Sequence, residues 1–272
     1  MVQSLEQRVG VEQDLDDLNR ALRDYVRSFA APGVGALLIT CADEAEWECV
    51  DSFQRMFAAH LLPKLKFACR APFRLANLGA RYEEGALAVA ERHFATPDTH
   101  HAFKVMLVKV SAHVAVEGGG ATATFGRMQR YGIESIACGA LHALLADTHL
   151  PVLDELRRTF NADGEDRIRV LADTQQVAPA QRALFAAVAS ARLQARRVEA
   201  DIQRHHAYSP TVYVVAACVT LNRTDRDTEL LCGLTVADLR TDPPAARHVG
   251  LGDHPARYRL HDEFGRLRLT EE

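Results

Sequence analysis

Residues 103–116 read FKVMLVKVSAHVAV, a run rich in Val and Leu that fits a buried β-strand. Alternation along it places Val105, Leu107, Lys109, Ser111 and His113 on one face. Met106, Val108, Val110, Ala112, Val114 and Val116 fall on the other. Two further runs read as strands, Gly35–Thr40 (GALLIT) and Thr211–Leu221 (TVYVVAACVTL). Helical patterns lie between them. Val11, Leu15, Leu18, Leu22, Val26 and Phe29 recur at three- and four-residue steps and stop at Pro32-Gly33. Residues 180–204 form the longest helix, with Leu184, Val188, Ala191, Ala195, Val198 and Ile202 as its buried stripe. Shorter helices are expected over 45–60, 82–94, 133–146 and 151–160, and a strand over 229–234. Residues 62–82 read as irregular, 97–98 as a turn, 118–120 as a loop, and the tail from Pro243 as a loop with a last strand near 258–260.

Strands alternating with helices indicate an α/β fold with a partly parallel sheet flanked by helices, whose ligands sit beyond the carboxyl ends of the strands. The expected division is an N-terminal amphipathic helical extension over 1–32, a main domain over 33–240, and a tail of the same domain over 241–272. With 48% hydrophobic residues among 272, the chain can bury enough surface to fold. No apolar stretch is long enough and free enough of charge to span a membrane. A net charge of −4 argues against a nucleic-acid partner. The N-terminus has no apolar signal segment, so a reducing, cytoplasmic location is expected and the six cysteines are expected to be unbridged.

Three residues stand out chemically. Cys41 follows the first strand, at the end where a site is expected. His113 lies towards the end of the second, on its less apolar face. Cys138 lies at or near a helix start, where the dipole favours a thiolate. Two thiolates and one imidazole suit zinc and fill three tetrahedral positions. The fourth is then left for water, which zinc ionises near neutral pH. Spacing alone favours two buried cysteines and a satisfied core histidine over a metal site. Asp43 reads as a helix N-cap, as a carboxylate orienting a metal-site water, or as both. Arg127 and Arg130 lie in the loop before Cys138, where an arginine is either solvated or paired with Asp43.

Three stretches, taken together, resemble one family. They are Ser111-Ala112-His113-Val114-Ala115-Val116, the loop Gly126-x-x-x-Arg130-x-Gly132, and Ala137-Cys138-Gly139-Ala140-Leu141. With Cys41-Ala42-Asp43-Glu44 after an apolar strand, they are similar to the low-CO2-inducible B-type proteins, a divergent (theta-class) branch of the β-type carbonic anhydrases. The long helix followed by TVYVVAACVTL also looks like that family's end. The resemblance covers roughly residues 35–60, 103–145 and 180–221. It implies that Cys41, His113 and Cys138 ligate Zn2+ and that Asp43 is the acid of an Asp–Arg dyad with Arg130 as partner (Arg127 in reserve). It also implies reversible hydration of carbon dioxide to bicarbonate by a metal-bound hydroxide, in a homodimer. Ala45 stands where the commoner β-type pattern has an arginine, and His113 and Cys138 are 25 residues apart; the B-type branch shares both departures.

Other readings use the same residues. A non-catalytic zinc protein of this fold, serving as a scaffold or bicarbonate-responsive partner, shares the ligands. A metal-free thiol redox protein would use Cys41 or Cys138, but no resolving cysteine lies nearby in sequence. A hydrolase finds no G-x-S-x-G elbow, and Gly118–Gly120 lacks the lysine of a phosphate loop. His100, His101 and His142 are candidates for a proton relay or simply surface histidines. Cys49 and Cys218 read as core.

Overall fold

The computed structural model describes residues 5–31, 34–58, 72–94, 105–119, 122–130, 132–145, 175–205, 212–240, 245–251, 258–263 and 266–271. Pro32-Gly33, Cys69, the turn at 97–98, His100, His101 and the helix expected over 151–160 lie outside these residues. In chain order the elements are β1 (Glu12–Asp14), α1 (Leu15–Arg27), β2 (Val34–Thr40), α2 (Trp47–Ala58), β3 (Phe73–Ala76) and α3 (Ala86–Phe94). Then follow β4 (Val105–Glu117), β5 (Thr124–Phe125), β6 (Met128–Arg130), β7 (Ile133–Ser135), α4 (Gly139–Leu145) and α5 (Arg182–His205). Last come β8 (Val212–Asn222), β9 (Thr228–Asp238), β10 (Ala245–Gly250), β11 (Tyr258–Glu263) and β12 (Arg266–Glu271).

The apolar runs become the middle of one mixed, mostly parallel sheet in the order β1-β9-β8-β4-β2-β3, with β10 also on β9 and β5 on β4. β2 runs parallel to β3 and to β4, and β4 parallel to β8; β9 reverses direction against β8. A strand buried on both faces needs helices on both, and the pleat sorts its side chains between them. Leu37, Ile39, Met106, Val108, Val110, Val215 and Val219 pack with the α5 stripe of Leu184, Val188, Ala191 and Val198. Ala36, Leu38, Val105, Leu107, Val214 and Ala216 pack with Leu18, Leu22 and Val26 of α1 and Val50, Phe53 and Phe57 of α2. Residues 5–31 therefore belong to the sheet and to one covering layer: Glu12–Asp14 pair with Thr228–Leu230, and α1 is buried beside α2.

Three stretches fold differently from the sequence reading. The helix expected over 133–146 begins only at Gly139; Ile133–Ser135 instead pairs antiparallel with Met128–Arg130. Gly132 has φ +75°, the left-handed conformation a tight reversal needs. The spacing of Ile133 and Ile136 imitates a helix, but these side chains are 70% and 41% exposed and form no buried stripe. Residues 73–76, expected as irregular, extend the sheet beyond β2 because parallel pairing needs only backbone groups. The tail is more ordered than expected: β10 joins β9, and β11 and β12 form a hairpin whose Tyr258, Leu267 and Leu269 are buried in the α5-side core.

Candidate metal centre

β2 ends at Thr40, and Cys41 is the first residue beyond the sheet. The backbone stays fixed there because Asn77 N–H donates to the Thr40 carbonyl and Ala42 N–H to the Asn77 carbonyl, both at 3.1 Å. Gly79, at φ +69°, turns its amide onto Cys41 Sγ at 3.2 Å. Cys138 immediately precedes α4, and its carbonyl accepts the His142 amide at 2.9 Å. Ala115 N–H donates to the Ala137 carbonyl at 3.1 Å, which ties this segment to β4. The result is a Cys41 Sγ to Cys138 Sγ distance of 3.5 Å. His113 completes the group: the three ligand atoms lie within 4.8 Å of one another and all three residues are buried.

The histidine is oriented by Asn222, the last residue of β8. Asn222 Nδ2 donates to the Ala45 carbonyl at 2.8 Å and to Asp227 Oδ2 at 3.0 Å. Its Oδ1 therefore faces His113 Nδ1, at 2.9 Å, and can only accept. Nδ1 must carry a hydrogen, so in the neutral imidazole the lone pair is on Nε2. That Nε2 atom is buried and has no hydrogen-bond partner among the described residues. Burial opposes a charged imidazole, but the neighbouring Cys41 sulfur and Glu46 carboxylate, when ionised, outweigh it and raise the His113 pKa to about 9, so a cation ligated at Nε2 displaces a proton from that nitrogen. The shared hydrogen bond with Cys138, reinforced by burial, pushes the Cys41 thiol up. A divalent cation reverses both tendencies, since ligation displaces protons from thiol and imidazole.

The donor set fits zinc. Two thiolates at Zn–S distances of about 2.3 Å in a tetrahedron stand about 3.8 Å apart, close to the observed sulfur separation. The unpartnered Nε2 is the third donor, and its Nδ1–H···O=C contact is the orientation that metal-binding histidines use.

Asp43 is the N-cap that its position after β2 suggests. Its Oδ1 accepts from Ala45 N–H at 3.0 Å and caps the turn Glu44–Glu46. Its Oδ2 lies 3.7 Å from His113 Nε2. The arginines are placed elsewhere. Arg127 pairs with Glu134 at 2.8 Å. Arg130 pairs with Glu48 at 2.8 Å and lies 3.8 Å from Asp227. Among the described residues no arginine pairs with Asp43. Cys49, Cys218 and Cys232 are buried, and His142 is exposed on α4. The five described cysteines are all unbridged.

Two further residues of the site escaped the sequence reading. Asn222 is one. Glu46 is the other: it is fully buried, neither carboxylate oxygen has a hydrogen-bond partner among the described residues, and Oε1 lies 4.0 Å from His113 Nδ1. Burial pushes its pKa up to about 8. A faint signal for Asn222 exists in the sequence. Thr220 and Asn222 continue the same face as Ser111 and His113 in the parallel register, so polar side chains gather at the carboxyl ends of two neighbouring strands.

No family model matches the chain, and no curated protein does. Among solved structures it is similar to PtLCIB4, a homolog of the limiting CO2-inducible protein LCIB. The two are 14% identical, over 86% of this chain and 94% of that one, with a TM-score of 0.60. It is also similar to LCIB, 14% identical over 89% of this chain and 95% of that one, with a TM-score of 0.53. A sheet of this order, with a Cys–His–Cys group at its carboxyl edge and two thirds or more of each chain superimposed, gives this protein the fold of the limiting CO2-inducible LCIB proteins.

Proposed function

We propose that Cys41, His113 and Cys138 bind zinc and that the protein catalyses the reversible hydration of carbon dioxide to bicarbonate. The observation that carries this reading is the convergence of two buried sulfurs and one unpartnered imidazole nitrogen within 4.8 Å. Zinc held there supplies a Lewis acid that makes water acidic near neutral pH. The chain's own residues do the rest. Asn222 keeps His113 in the tautomer whose Nε2 can ligate. Asp43 Oδ2, beside that nitrogen, accepts a hydrogen bond from the reacting water and aims its remaining lone pair at the substrate carbon. Arg130 serves the site as a positioning residue: it holds Glu48 and Asp227, and Asp227 in turn accepts from Asn222.

A second reading is favoured by one observation. With no arginine on it among the described residues, Asp43 is free to turn Oδ2 towards the cation, and a carboxylate in the fourth position closes the site. The protein would then be a zinc-binding scaffold or a bicarbonate-responsive partner. Stopped-flow carbon dioxide hydration on metal-quantified protein, with Asp43→Ala alongside, separates the two. The catalytic reading expects fast turnover in the parent and, in the variant, a loss of about a hundredfold or more with zinc retained. Full zinc and no turnover in the parent selects the scaffold.

A homodimer is part of the proposal. Trp47 is 72% exposed and Ile133 70%, with Ile136 nearby at 41%, and the Arg130–Glu48 pair ties their two segments together. Large apolar side chains gathered at the rim of a site suit the surface of a second copy. No helix among the described residues is long and apolar enough to cross a membrane. Unbridged cysteines fit a reducing compartment such as the cytoplasm.

A further inference from the structure

The turn Leu78–Ala80 brings the Gly79 amide to Cys41 Sγ, and it does so in a conformation that does not hold itself. φ is +69° at Gly79 and +58° at Ala80. Glycine adopts that region freely, but Ala80 carries a Cβ, and a residue with a Cβ stays there only where its surroundings impose it. The surroundings do so from both sides. Before the turn, Asn77 is bound through its backbone to Thr40 and Ala42, and its Nδ2 donates to the Arg81 carbonyl at 3.0 Å. After the turn, Tyr82 is bound to α5.

Two side chains of α5 make that second anchor. Tyr82 N–H donates to Gln194 Oε1 at 2.9 Å. The Tyr82 hydroxyl donates to Asp201 Oδ2, which also accepts Gly85 N–H at 3.1 Å. Gln194 and Asp201 are seven residues apart, two turns along one face of the helix. Gln194, Asp201 and Tyr82 are all buried. A backbone N–H can only donate, so the Gln194 amide has one orientation, with its oxygen on Tyr82. Gln194 therefore holds the chain three residues after Gly79.

Cys41 is 1% exposed, so its sulfur receives no help from bulk water. A buried thiolate is costly without donors, and an amide aimed at it offsets part of that cost. We propose that Gln194 is a positioning residue for the metal centre: through Tyr82 it fixes the turn that aims the Gly79 amide at the Cys41 sulfur, and so strengthens the hold of that thiolate on a divalent cation. The proposal rests on Cys41, His113 and Cys138 being the ligands.

The test loads the full chain with an NMR-active cadmium isotope, a soft cation that takes thiolate donors. In the parent, a scalar coupling through the N–H···S hydrogen bond is expected between cadmium and the Gly79 amide proton. Gln194→Met removes the acceptor. It is expected to lose the coupling and to weaken cadmium binding about tenfold in competition with a chelator. Gln194→Asn, which draws the oxygen back by one methylene, is the milder variant and is expected to change both in the same direction. Ser190→Ala, one turn away on α5 and equally buried, is expected to change neither. Cadmium-loaded parent without a coupling at Gly79 overturns the proposal. So do folded Gln194 variants that keep both coupling and affinity, or a Ser190→Ala loss as large as that of Gln194→Met. A parent that takes up no cadmium is a different result: it removes the ligand assignment itself, and this proposal with it.

Discussion

The residue that decides whether His113 can ligate is Asn222. Its amide is locked by the two acceptors it donates to, so its oxygen fixes the imidazole tautomer. Asn222→Leu removes that lock and leaves Nδ1 without a partner. Zinc affinity measured by competition with a chelator is expected to fall about 10- to 100-fold, whereas a change at exposed His142 leaves it unaltered. Glu46 makes a second prediction at this scale. Its carboxyl takes up its proton near pH 8 in the folded chain, against an ordinary value of 4.5. The folded state therefore binds more protons than the unfolded one between those values, and stability falls as pH rises through that window. In apo-protein, Glu46→Gln is expected to melt with the parent at pH 5 and above it at pH 9. A difference independent of pH would contradict burial as the cause. Neither residue could be assigned its role from sequence, because the roles arise from the register of β4 on β8 and from the turn after Cys41. Cys41 and His113, by contrast, could be picked out because each lies at or near the end of an unmistakable strand.

Among the elements, β4, β8 and α5 were legible because β-branched runs and a 3.6-residue stripe leave few alternatives. β3, β7 and β10 were not: they are short or half-exposed, and backbone pairing rather than side-chain pattern holds them in place. The face of β4 that carries His113 also carries Lys109, fully buried and 2.6 Å from the equally buried Glu229 of β9. Asn19 of α1 accepts from the same ammonium at 2.8 Å, and Ser111 donates to Glu229 at 2.9 Å. This network joins β4, β9 and α1 beneath the site. Lys109→Met strands a buried carboxylate and is expected to cost about 3–5 kcal/mol by chemical denaturation. The pair Lys109→Met with Glu229→Leu is expected to recover most of that loss. A double variant as unstable as the single one would show that the ammonium contributes by something other than pairing.

At the scale of the whole molecule, β2, β4 and β8 run parallel and deliver Cys41, His113 and Asn222 to one edge, the place where open α/β sheets carry their sites. Helices pack on both faces of the sheet behind that edge. Trp47, Ile133 and Ile136 then leave an apolar rim beside it. If that rim is the dimer surface, Ile133→Asp is expected to give a monomer in sedimentation velocity with secondary structure intact, and an unchanged dimer would move the interface elsewhere. The α/β architecture was readable from the alternation of strands and helices. The path that brings residues 41, 113, 138 and 222 together was not, because no local spacing encodes it. The most direct test of the central claim is therefore the metal content of protein made in zinc-replete medium, measured beside Cys41→Ala, His113→Ala and Cys138→Ala variants of verified fold. The account expects about one zinc per chain in the parent and less than about a tenth in each variant. A parent without zinc, or a variant that keeps it in full, would contradict it.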